Sequence, residues 1–507
     1  MGGDVLLIGS EAQPFAKTGG LADVLGALPS ALVRAGWNAT VAIPKYRGVE
    51  AGTLLERFPV TVGAYTADVG FFAADLPGPE GGAQSNNTAR ALLVDCPDLF
   101  DRDQLYAVDN VDYPDNARRF AMLVRAALEF AGRQPRAPDI VHAHDWQAAL
   151  APVYLKSLYA THPVLAGTPS VLTIHNLAYQ GLFEADWLPR LDLGWDQLGI
   201  ERMEFYGRIS FLKGGINDAD AITTVSPRYA QEIQTPELGF GFDGIITRRA
   251  PDVVGILNGI DTREWDPAAD PYLPHAYSAA DMTGKAAAKA EILRRFGITA
   301  FDAQVRPLVG MVSRMVDQKG LDLIAAIDEE LPGLDASFIV LGTGEAHYQK
   351  MWTTLAAEYP ERIGARIGFD EELAHLIEAG ADIFLMPSQF EPCGLNQMYS
   401  MRYGTVPVVH AVGGLADTVV DQGPRRPKAT GFAFSEYTPE ALMAALSRAL
   451  KLFADKKKWR ALQLSGMRQD FSWDRSAAEY VKMYERLVAA RPDVGRSFRA
   501  AGRRAGL

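Results

Sequence analysis

Two cations follow a short apolar run in the second half of the sequence. Arg314 and Lys319 lie in the segment Ser313–Gly320, directly after Leu308–Val312. Two positive charges in one loop repel each other unless an anion joins them, and charge-assisted contacts are about twice as strong as neutral ones. The spacing therefore favours a site for an anionic group such as a departing diphosphate. A solvated basic turn is the alternative interpretation.

A carboxylate follows another apolar run in this half of the sequence, Ile383–Met386. Pro392 suits a first helical position, so we predict that a helix starts there and that Glu391 lies near its positive end. A buried carboxylate at that place can hold sugar hydroxyls or a developing oxocarbenium charge. A helix-capping glutamate would look the same. Cys393 is expected to be a packed small residue rather than a nucleophile.

Two glycines precede the predicted helix Leu21–Ala35. In Lys17-Thr18-Gly19-Gly20 the glycines let a phosphate approach free backbone N–H groups, and Lys17 adds a mobile positive charge. A glycine turn, with Asp23 compensating the first helical turn, explains the pattern equally well. Both interpretations stay open.

Histidines and an aspartate end two other predicted strands. His175 follows Val171–Ile174, and Asp145 follows His142 and His144. The His-x-His-Asp pattern can indicate a metal site, but no further matching ligand cluster is evident, so we predict no metal. A single histidine at a strand end is more often structural.

The motif Gly342-Thr343-Gly344 also follows a predicted strand. It has His347 where a dinucleotide-binding fingerprint needs its third glycine, so a nicotinamide fold is weakly supported and no cofactor is expected.

Short apolar runs rich in Val and Ile alternate with amphipathic stretches along the whole chain. Runs that are apolar at every residue are typical of parallel strands covered on both faces, so the fold class is predicted to be α/β with doubly wound parallel sheets. Ligands of such sheets bind beyond the carboxyl ends of the strands. Two sheets facing each other would form a cleft lined from both sides. The predicted strands are Val5–Ile8, Thr40–Ile43, Asp139–His142, Val171–Ile174, Ala221–Val225, Val253–Leu257, Leu308–Val312, Phe338–Leu341, Arg366–Phe369, Ile383–Met386 and Val406–His410.

The length of 507 residues favours two large domains. A proline-containing break at about 258–305 separates them, and we predict domains at 1–255 and 256–473. A helix at 474–490 follows, and then a basic tail, 491–507, that is expected to be frayed.

Composition narrows the class of protein further. The formal net charge of −12 argues against binding nucleic acid or an acidic membrane, which need excess Lys and Arg. Only two cysteines are present, Cys96 and Cys393, which favours a reducing compartment over a disulfide framework. The first apolar run is read as a strand rather than an export signal, and no run approaches about 20 apolar residues. We therefore expect a cytoplasmic protein.

Several of these segments, in this order, resemble bacterial glycogen synthases and plant starch synthases. The resemblance runs from about residue 4 to 488 and is specific as a joint match. It is carried by Lys17–Val24, His144-Asp145-Trp146, Thr173–Gly181, Phe211–Ile216, Leu257–Asp261 and Phe390–Leu395.

The resemblance implies a GT-B architecture of two Rossmann-like domains that face a deep cleft. It also implies transfer of glucose from ADP-glucose to the non-reducing end of an α-1,4-glucan such as glycogen, with retention of configuration and without a metal. The domain 1–255 would bind the acceptor, and the domain 256–473 would bind the donor. The helix 474–490 would cross back to the first domain. By position, the residues so implied are Arg314, Lys319, Glu391 and His175 in catalysis, and Lys17, Gly20, Asp23, Asp145, Asn258, Phe369, Cys393, Gly394 and Asn396 in substrate binding.

The sequence departs from the wider pattern at two positions. Tyr399 stands where the retaining superfamily has a second glutamate, as in the glycogen synthase branch, and Asn396 stands where relatives often have threonine. The alternatives are another GT-B enzyme, such as a sucrose synthase or a sugar-nucleotide epimerase, and a non-catalytic regulator that binds glucan or nucleotide.

Overall fold

The computed structural model describes residues 2–76, 89–108, 111–423 and 428–491. The packing of the chain divides it into an N-terminal unit (Met1–Val225, Ala230–Gly259 and Trp473–Leu507) and a C-terminal unit (Ser226–Tyr229 and Ile260–Ser472). From the sequence we expected the first domain to end at residue 255 and the last helix to begin at residue 474. In the structure the N-terminal unit extends to Gly259 and resumes at Trp473. Of the tail 491–507, only Arg491 is among the described residues.

The N-terminal unit carries strands β1 to β14, most of them in one mixed sheet. Among the described residues this sheet has nine strands in the order β14-β13-β9-β8-β1-β2-β5-β4-β3, and the others form the small sheets β6-β7 and β10-β12-β11. The strands are β1 (Asp4–Ile8), β2 (Asn38–Pro44), β3 (Thr53–Val62), β4 (Tyr65–Asp75), β5 (Ala89–Asp95), β6 (Ala107–Val108), β7 (Val111–Asp112), β8 (Ile140–His144), β9 (Ser170–Ile174), β10 (Leu182–Phe183), β11 (Glu204–Phe205), β12 (Arg208–Ser210), β13 (Ala221–Thr224) and β14 (Val253–Gly255).

The C-terminal unit carries one sheet in which all neighbouring strands are parallel. Its order among the described residues is β17-β16-β15-β18-β19-β20. These strands are β15 (Leu308–Val312), β16 (Ser337–Gly342), β17 (Ile363–Ile367), β18 (Ile383–Met386), β19 (Val406–His410) and β20 (Phe432–Phe434). In both units the sequence order of the strands requires crossovers, and helices supply most of them.

The helices are listed here in chain order. They are α1 (Gly20–Arg34), α2 (Pro97–Phe100), α3 (Asn116–Arg133), α4 (Asp145–Ala148), α5 (Leu150–Lys156), α6 (Trp187–Arg190), α7 (Phe211–Asp218), α8 (Pro227–Glu232), α9 (Asp243–Arg248), α10 (Thr283–Arg295), α11 (Leu321–Ala325), α12 (Ala346–Glu358), α13 (Glu371–Gly380), α14 (Asn396–Arg402), α15 (Gly413–Thr418), α16 (Pro439–Phe453), α17 (Lys456–Met467) and α18 (Trp473–Ala490). Within the described ranges, no helix has the length and apolar character needed to cross a bilayer.

The last helix, α18, packs on the N-terminal unit. Tyr480 and Tyr484 on its apolar face are fully buried in the same cluster as Val5 of β1 and Leu25 of α1. At its start, Ser476 donates a hydrogen bond to the carbonyl of Leu257. The amphipathic pattern of α18 therefore buries its aromatic stripe beside the first strand of the large sheet.

The predicted α/β class is confirmed, and each predicted strand is present with ends shifted by a few residues. The sequence analysis missed the antiparallel pair β3–β4 at one edge of the large sheet. In the second half of β3 burial alternates from residue to residue, as in a strand with one wet face, and a search for fully apolar runs overlooks that pattern.

Candidate functional site

The loop with the two predicted cations passes close to the end of a neighbouring strand. Gly320 ends the short 3₁₀ turn Asp317–Lys319 with φ of 77°. A Cβ at this position would lie 2.1 Å from the carbonyl oxygen of Pro387, which directly follows β18. Glycine is therefore required for this approach, which places Lys319 beside the loop that carries Glu391.

The structure gives the two cations different partners. Lys319 Nζ lies 2.6 Å from Glu391 Oε2, and the two side chains are 21% and 7% exposed. Arg314 is exposed, and its Nη2 donates to Gln318 Oε1 at 3.1 Å. Lys319 and Glu391 thus form a largely buried ion pair, whereas Arg314 is an exposed residue.

The surroundings of Glu391 differ from the prediction. No helix starts at Pro392, because α14 begins at Asn396. The predicted helix start at Pro392 was therefore wrong. The charge of Glu391 is balanced by Lys319 and by Ser388, whose Oγ donates to Glu391 Oε2 at 3.1 Å. The pairing arises from the tertiary approach of two loops and has no signature in the local sequence.

Three other predicted residues surround this loop. Cys393 is buried, as expected for a packed small residue, and Gly394 has φ of 68°. Asn396 Nδ2 donates to the carbonyl of Val312 at the end of β15, at 2.9 Å. The amide of Asn396 therefore ties the start of α14 to the strand that precedes Arg314.

Phe369 stands apart as an exposed aromatic ring. It lies two residues beyond β17, and 85% of its surface is accessible. The next residue, Asp370, caps α13 through the N–H of Leu373. The backbone on its C-terminal side is therefore fixed, whereas the ring itself offers a face for stacking.

In the N-terminal unit, Glu11 occupies part of the predicted anion site. Its carboxylate accepts hydrogen bonds from the N–H groups of Thr18 and Gly19 and from the Thr18 hydroxyl. Tyr106 donates its hydroxyl hydrogen to Glu11 Oε1 at 2.7 Å. The chain thus supplies its own anion for two of the N–H groups in the glycine loop. The sequence analysis assigned no role to Glu11, although an acidic residue just past a strand was a signal.

The remaining residues of the glycine loop pair with one another. Lys17 Nζ lies 2.7 Å from Asp23 Oδ1, with side chains 39% and 21% exposed. Gly20 is the first residue of α1, as the helix-start prediction required. An exposed ion pair of this kind contributes less than about 1 kcal/mol, so the arrival of an anionic ligand could readily draw Lys17 away from Asp23.

Asp145 adopts an unusual backbone conformation at the end of β8. Its φ is 58°, in the left-handed region that Asp and Asn tolerate better than most residues. Asp145 Oδ1 accepts a hydrogen bond from the N–H of His175 at 2.7 Å, so the ends of β8 and β9 are joined here. Burial raises the pKa of Asp145 to about 7, against the opposing effect of the N–H groups of His175 and Asn176.

Three histidine rings lie in a row behind this aspartate. His175 Nε2 is 2.9 Å from His144 Nδ1, and the rings of His144 and His142 have centroids 4.2 Å apart. Burial lowers the pKa of His175 to about 3 and that of His142 to about 3. Near pH 7 these imidazoles are therefore neutral, so His175 can accept or donate a hydrogen bond but carries no charge.

Asn258 follows β14 in the N-terminal unit and is 6% exposed. Its Oδ1 has no hydrogen-bond partner among the described residues. Within each unit the structure therefore brings some of the predicted residues into contact: Asp145 with His175, and Lys319 with Glu391.

The raised pKa of Asp145 predicts a pH-dependent stability. Well below pH 3.8 the carboxyl is protonated in both the folded and the unfolded chain. As the pH rises above 3.8 the unfolded chain releases this proton first, so Asp145 lowers stability progressively until about pH 7, where the folded chain releases it too. Relative to Asp145→Asn, the free energy of unfolding should fall by at most about 1.4 kcal/mol per pH unit in this window.

Denaturant unfolding of both proteins at pH 4.5, 5.5, 6.5 and 8 measures this difference. Asparagine fits the left-handed backbone equally well, so the comparison isolates the charge. A constant difference between the two proteins across this range would contradict the prediction.

Comparisons with known proteins agree with these features. Residues 4–248 match the family model "Starch synthase catalytic domain", and residues 301–461 match "Glycosyl transferases group 1". A glycogen synthase of Anaeromyxobacter dehalogenans is 48% identical over 490 residues, which cover 96% of this chain and 100% of the relative. A glycogen synthase of Koribacter versatilis is 46% identical over 482 residues, which cover 95% of this chain and 98% of the relative.

Solved structures give the same result. The catalytic domain of starch synthase IV from Arabidopsis thaliana, solved with ADP and acarbose, superposes with a TM-score of 0.87 at 33% identity and covers 96% of this chain and 100% of that one. A sucrose-phosphate synthase from Thermosynechococcus elongatus shares the fold, with a TM-score of 0.60 at 17% identity over 96% of this chain and 100% of its own.

Two doubly wound units with polar residues at their strand ends, together with these matches, define a glycosyltransferase of the GT-B fold. Within that class, the chain belongs to the family of glycogen synthases and starch synthases.

Proposed function

We propose that this glycosyltransferase uses ADP-glucose to lengthen an α-1,4-glucan at its non-reducing end, with retention of the anomeric configuration. The observation that carries the proposal is the Lys319–Glu391 pair, 2.6 Å apart, in the same loop system as the exposed Arg314. Such a set offers positive charge to a diphosphate and a carboxylate to a sugar. The starch synthase IV structure is described as bound to ADP and acarbose, which supports an adenine nucleotide and a glucan-like ligand here.

The C-terminal unit is proposed to bind the donor and stabilise its leaving group. The C1–O bond to the diphosphate breaks, and the departing charge is stabilised by Arg314 and Lys319. Glu391, with the backbone N–H groups of Cys393 and Gly394, holds the glucose hydroxyls. Asn396 lies near the phosphates through its position at the start of α14.

Attack on the same face as departure is the proposed route to retention. The acceptor hydroxyl oxygen bonds to C1, and its proton passes to the departing diphosphate oxygen, so no enzyme carboxylate becomes covalently attached. Glycosidases that form such an intermediate use two carboxyl groups about 5 Å apart. Here Glu391 is already paired with Lys319, and Asp145 accepts a backbone N–H, which suits both for binding rather than nucleophilic attack.

The N-terminal unit is proposed to handle the transferred sugar and the acceptor. His175, neutral because of its lowered pKa, can hydrogen-bond a glucose hydroxyl without repelling the oxocarbenium charge. Asp145 contacts glucose or the acceptor, and Lys17, Gly20 and Asp23 form the phosphate-facing glycine loop. Asn258 is assigned to substrate binding because it is buried and its amide oxygen has no hydrogen-bond partner within the described part of the chain.

Radiolabelled glucose transfer tests the function directly. The full chain is incubated with glycogen and either ADP-glucose or UDP-glucose at equal concentrations, and label in the precipitated polymer is measured. We expect incorporation from ADP-glucose at the higher initial rate and complete release of the label by an α-1,4-specific glucosidase. No incorporation from either donor would contradict the proposal and favour a binding protein. In a parallel incubation with fructose in place of glycogen, transfer of label to fructose together with none to glycogen would favour a sucrose synthase.

Replacing Phe369 tests its proposed stacking on the nucleotide base. Phe369→Ala should raise KM for ADP-glucose by about 10-fold, because an aromatic contact contributes about 0.5–1.5 kcal/mol beyond its buried area. The kcat value should change little, since the base is remote from the reacting bond. Phe301→Ala, at another fully exposed phenylalanine of the same unit, is the matched control. Equal KM values for the two variants would exclude Phe369 from the donor site.

A further inference from the structure

A second group of chemically reactive side chains lies in the C-terminal unit and is not used by the proposed reaction. Glu264, Glu371 and His375 each present one ligand atom, and these atoms lie within 4.8 Å of one another. Glu371 and His375 are four residues apart on α13, so they share one face of that helix. Glu264 comes from the distant segment that follows Ile260. Two elements far apart in sequence therefore bring their side chains to one point.

The ring of His375 is fixed by its neighbours. It is 1% exposed, and the indole of Trp265 stacks on it at 3.8 Å between ring centroids with 13° between the planes. His375 Nδ1 lies 2.8 Å from Asp270 Oδ2, and the same oxygen accepts the hydroxyl hydrogen of Tyr403 at 2.6 Å. An ionised Asp270 has no hydrogen to donate and can only accept hydrogen bonds at this oxygen. Nδ1 of His375 therefore carries the hydrogen.

This tautomer leaves a lone pair on the other ring nitrogen. His375 Nε2 is buried and has no hydrogen-bond partner among the described residues. A buried polar atom without a partner is costly, and an imidazole whose other nitrogen donates to a carboxylate is the usual arrangement of a metal-ligating histidine. The unpartnered Nε2 of His375 is therefore evidence for a ligand that is independent of the two nearby carboxylates.

We propose that Glu264, Glu371 and His375 bind a divalent transition-metal ion of the Zn²⁺ class, with Asp270 orienting the histidine. One imidazole nitrogen and two carboxylates form a nitrogen and oxygen ligand set that Zn²⁺ accepts, and their two negative charges balance the ion. Bonds of about 2.0–2.2 Å require the ligand atoms to approach more closely than 4.8 Å. Glu371 is exposed and Glu264 partly so, and rotation of their side chains supplies this movement while the histidine stays fixed.

The bound ion would join the segment of Glu264 and Trp265 to α13. It would act on the stability of the C-terminal unit and would not take part in glucose transfer. Its test can therefore fail or succeed independently of the proposed function.

Calorimetric titration of the chelator-treated full chain with ZnCl₂ tests the proposal. We expect one high-affinity equivalent per chain and a Zn²⁺-dependent rise in the thermal unfolding midpoint. Glu371→Gln and Glu264→Gln, which change only partly or fully exposed side chains, should each weaken this binding by at least about 10-fold. Glu345→Gln is the matched control, because Glu345 belongs to a second, fully exposed group with Asp317 and His347.

The results for the three variants decide whether the proposed metal site exists. Binding lost in Glu371→Gln and Glu264→Gln but kept in Glu345→Gln supports the proposal. Binding lost only in Glu345→Gln, binding unaffected by all three changes, or no saturable binding overturns it. Substitution of His375 is a weaker test, because loss of its stacking on Trp265 could disturb folding on its own.

Discussion

Lys319→Ala is expected to lower kcat for glucose transfer by about 10²–10³-fold, which is typical of losing one preorganised charge that stabilises the transition state. Of the two predicted cations, Lys319 is the one that pairs with a carboxylate, with its ammonium 2.6 Å from Glu391 and 21% of its side chain exposed. The substitution removes positive charge where the diphosphate departs. Initial rates at saturating ADP-glucose and glycogen measure the effect on kcat.

The controls separate chemistry from folding. Lys350→Ala, at an exposed lysine of α12 in the same unit, should keep the activity of the parent protein. Lys319→Arg should recover part of the loss, because it restores the charge with a different geometry. An unchanged kcat for Lys319→Ala at saturating donor would remove Lys319 from the mechanism.

Glu391→Gln is expected to lower kcat by about 10²-fold or more. Glutamine keeps the shape of the side chain and can still accept a hydrogen bond from Ser388, so the change mainly removes the negative charge near the transferred glucose. The side chain is 7% exposed, and water can compensate for the lost charge only poorly. Steady-state kinetics with both substrates varied would assign the loss to kcat rather than to KM.

The double variant Lys319→Ala/Glu391→Gln tests whether the two residues act as a unit. Residues in one ion pair are not additive, so the double variant should lose little more activity than the more impaired single variant. Glu361→Gln, at an exposed glutamate of the same unit, is the control for Glu391→Gln. If the fold-loss of activity in the double variant equals the product of the two single losses, Lys319 and Glu391 contribute to catalysis separately. A normal rate in Glu391→Gln would show that its charge is not needed.

Much of the architecture could be predicted from the chain because buried parallel strands leave a strong local pattern. Runs such as Leu308–Val312 are apolar at nearly every position, since helices cover both faces of the sheet. The search for fully apolar runs missed the β3–β4 hairpin. This hairpin lies at the edge of the sheet, and buried and exposed residues alternate in the second half of β3, as expected when one face of a strand contacts solvent. The sequence likewise gave no reason for α14 to begin four residues after Pro392, where the chain first makes a loop around Gly394.

The candidate site was predictable in its members but not in its pairings. Arg314, Lys319, Glu391, Asp145 and His175 were identified from their types and their places after predicted strands, together with the family resemblance. Which of them touch depends on the register of strands far apart in sequence. For the same reason the role of Glu11, whose carboxylate binds the N–H groups of the glycine loop, became visible only in three dimensions.

The α/β class, the family and the identity of the polar residues at strand ends follow from local hydrophobic pattern and ordered motifs, so the chain reveals them without coordinates. Its contacts came from the packing of the chain: Lys319 pairs with Glu391, Asp145 accepts the N–H of His175, and His375, whose Nε2 has no partner among the described residues, lies close to two carboxylates. Distance explains the difference. Ion pairs and hydrogen bonds act over a few ångströms, and residues tens of positions apart reach that range only after the strands and loops between them are packed.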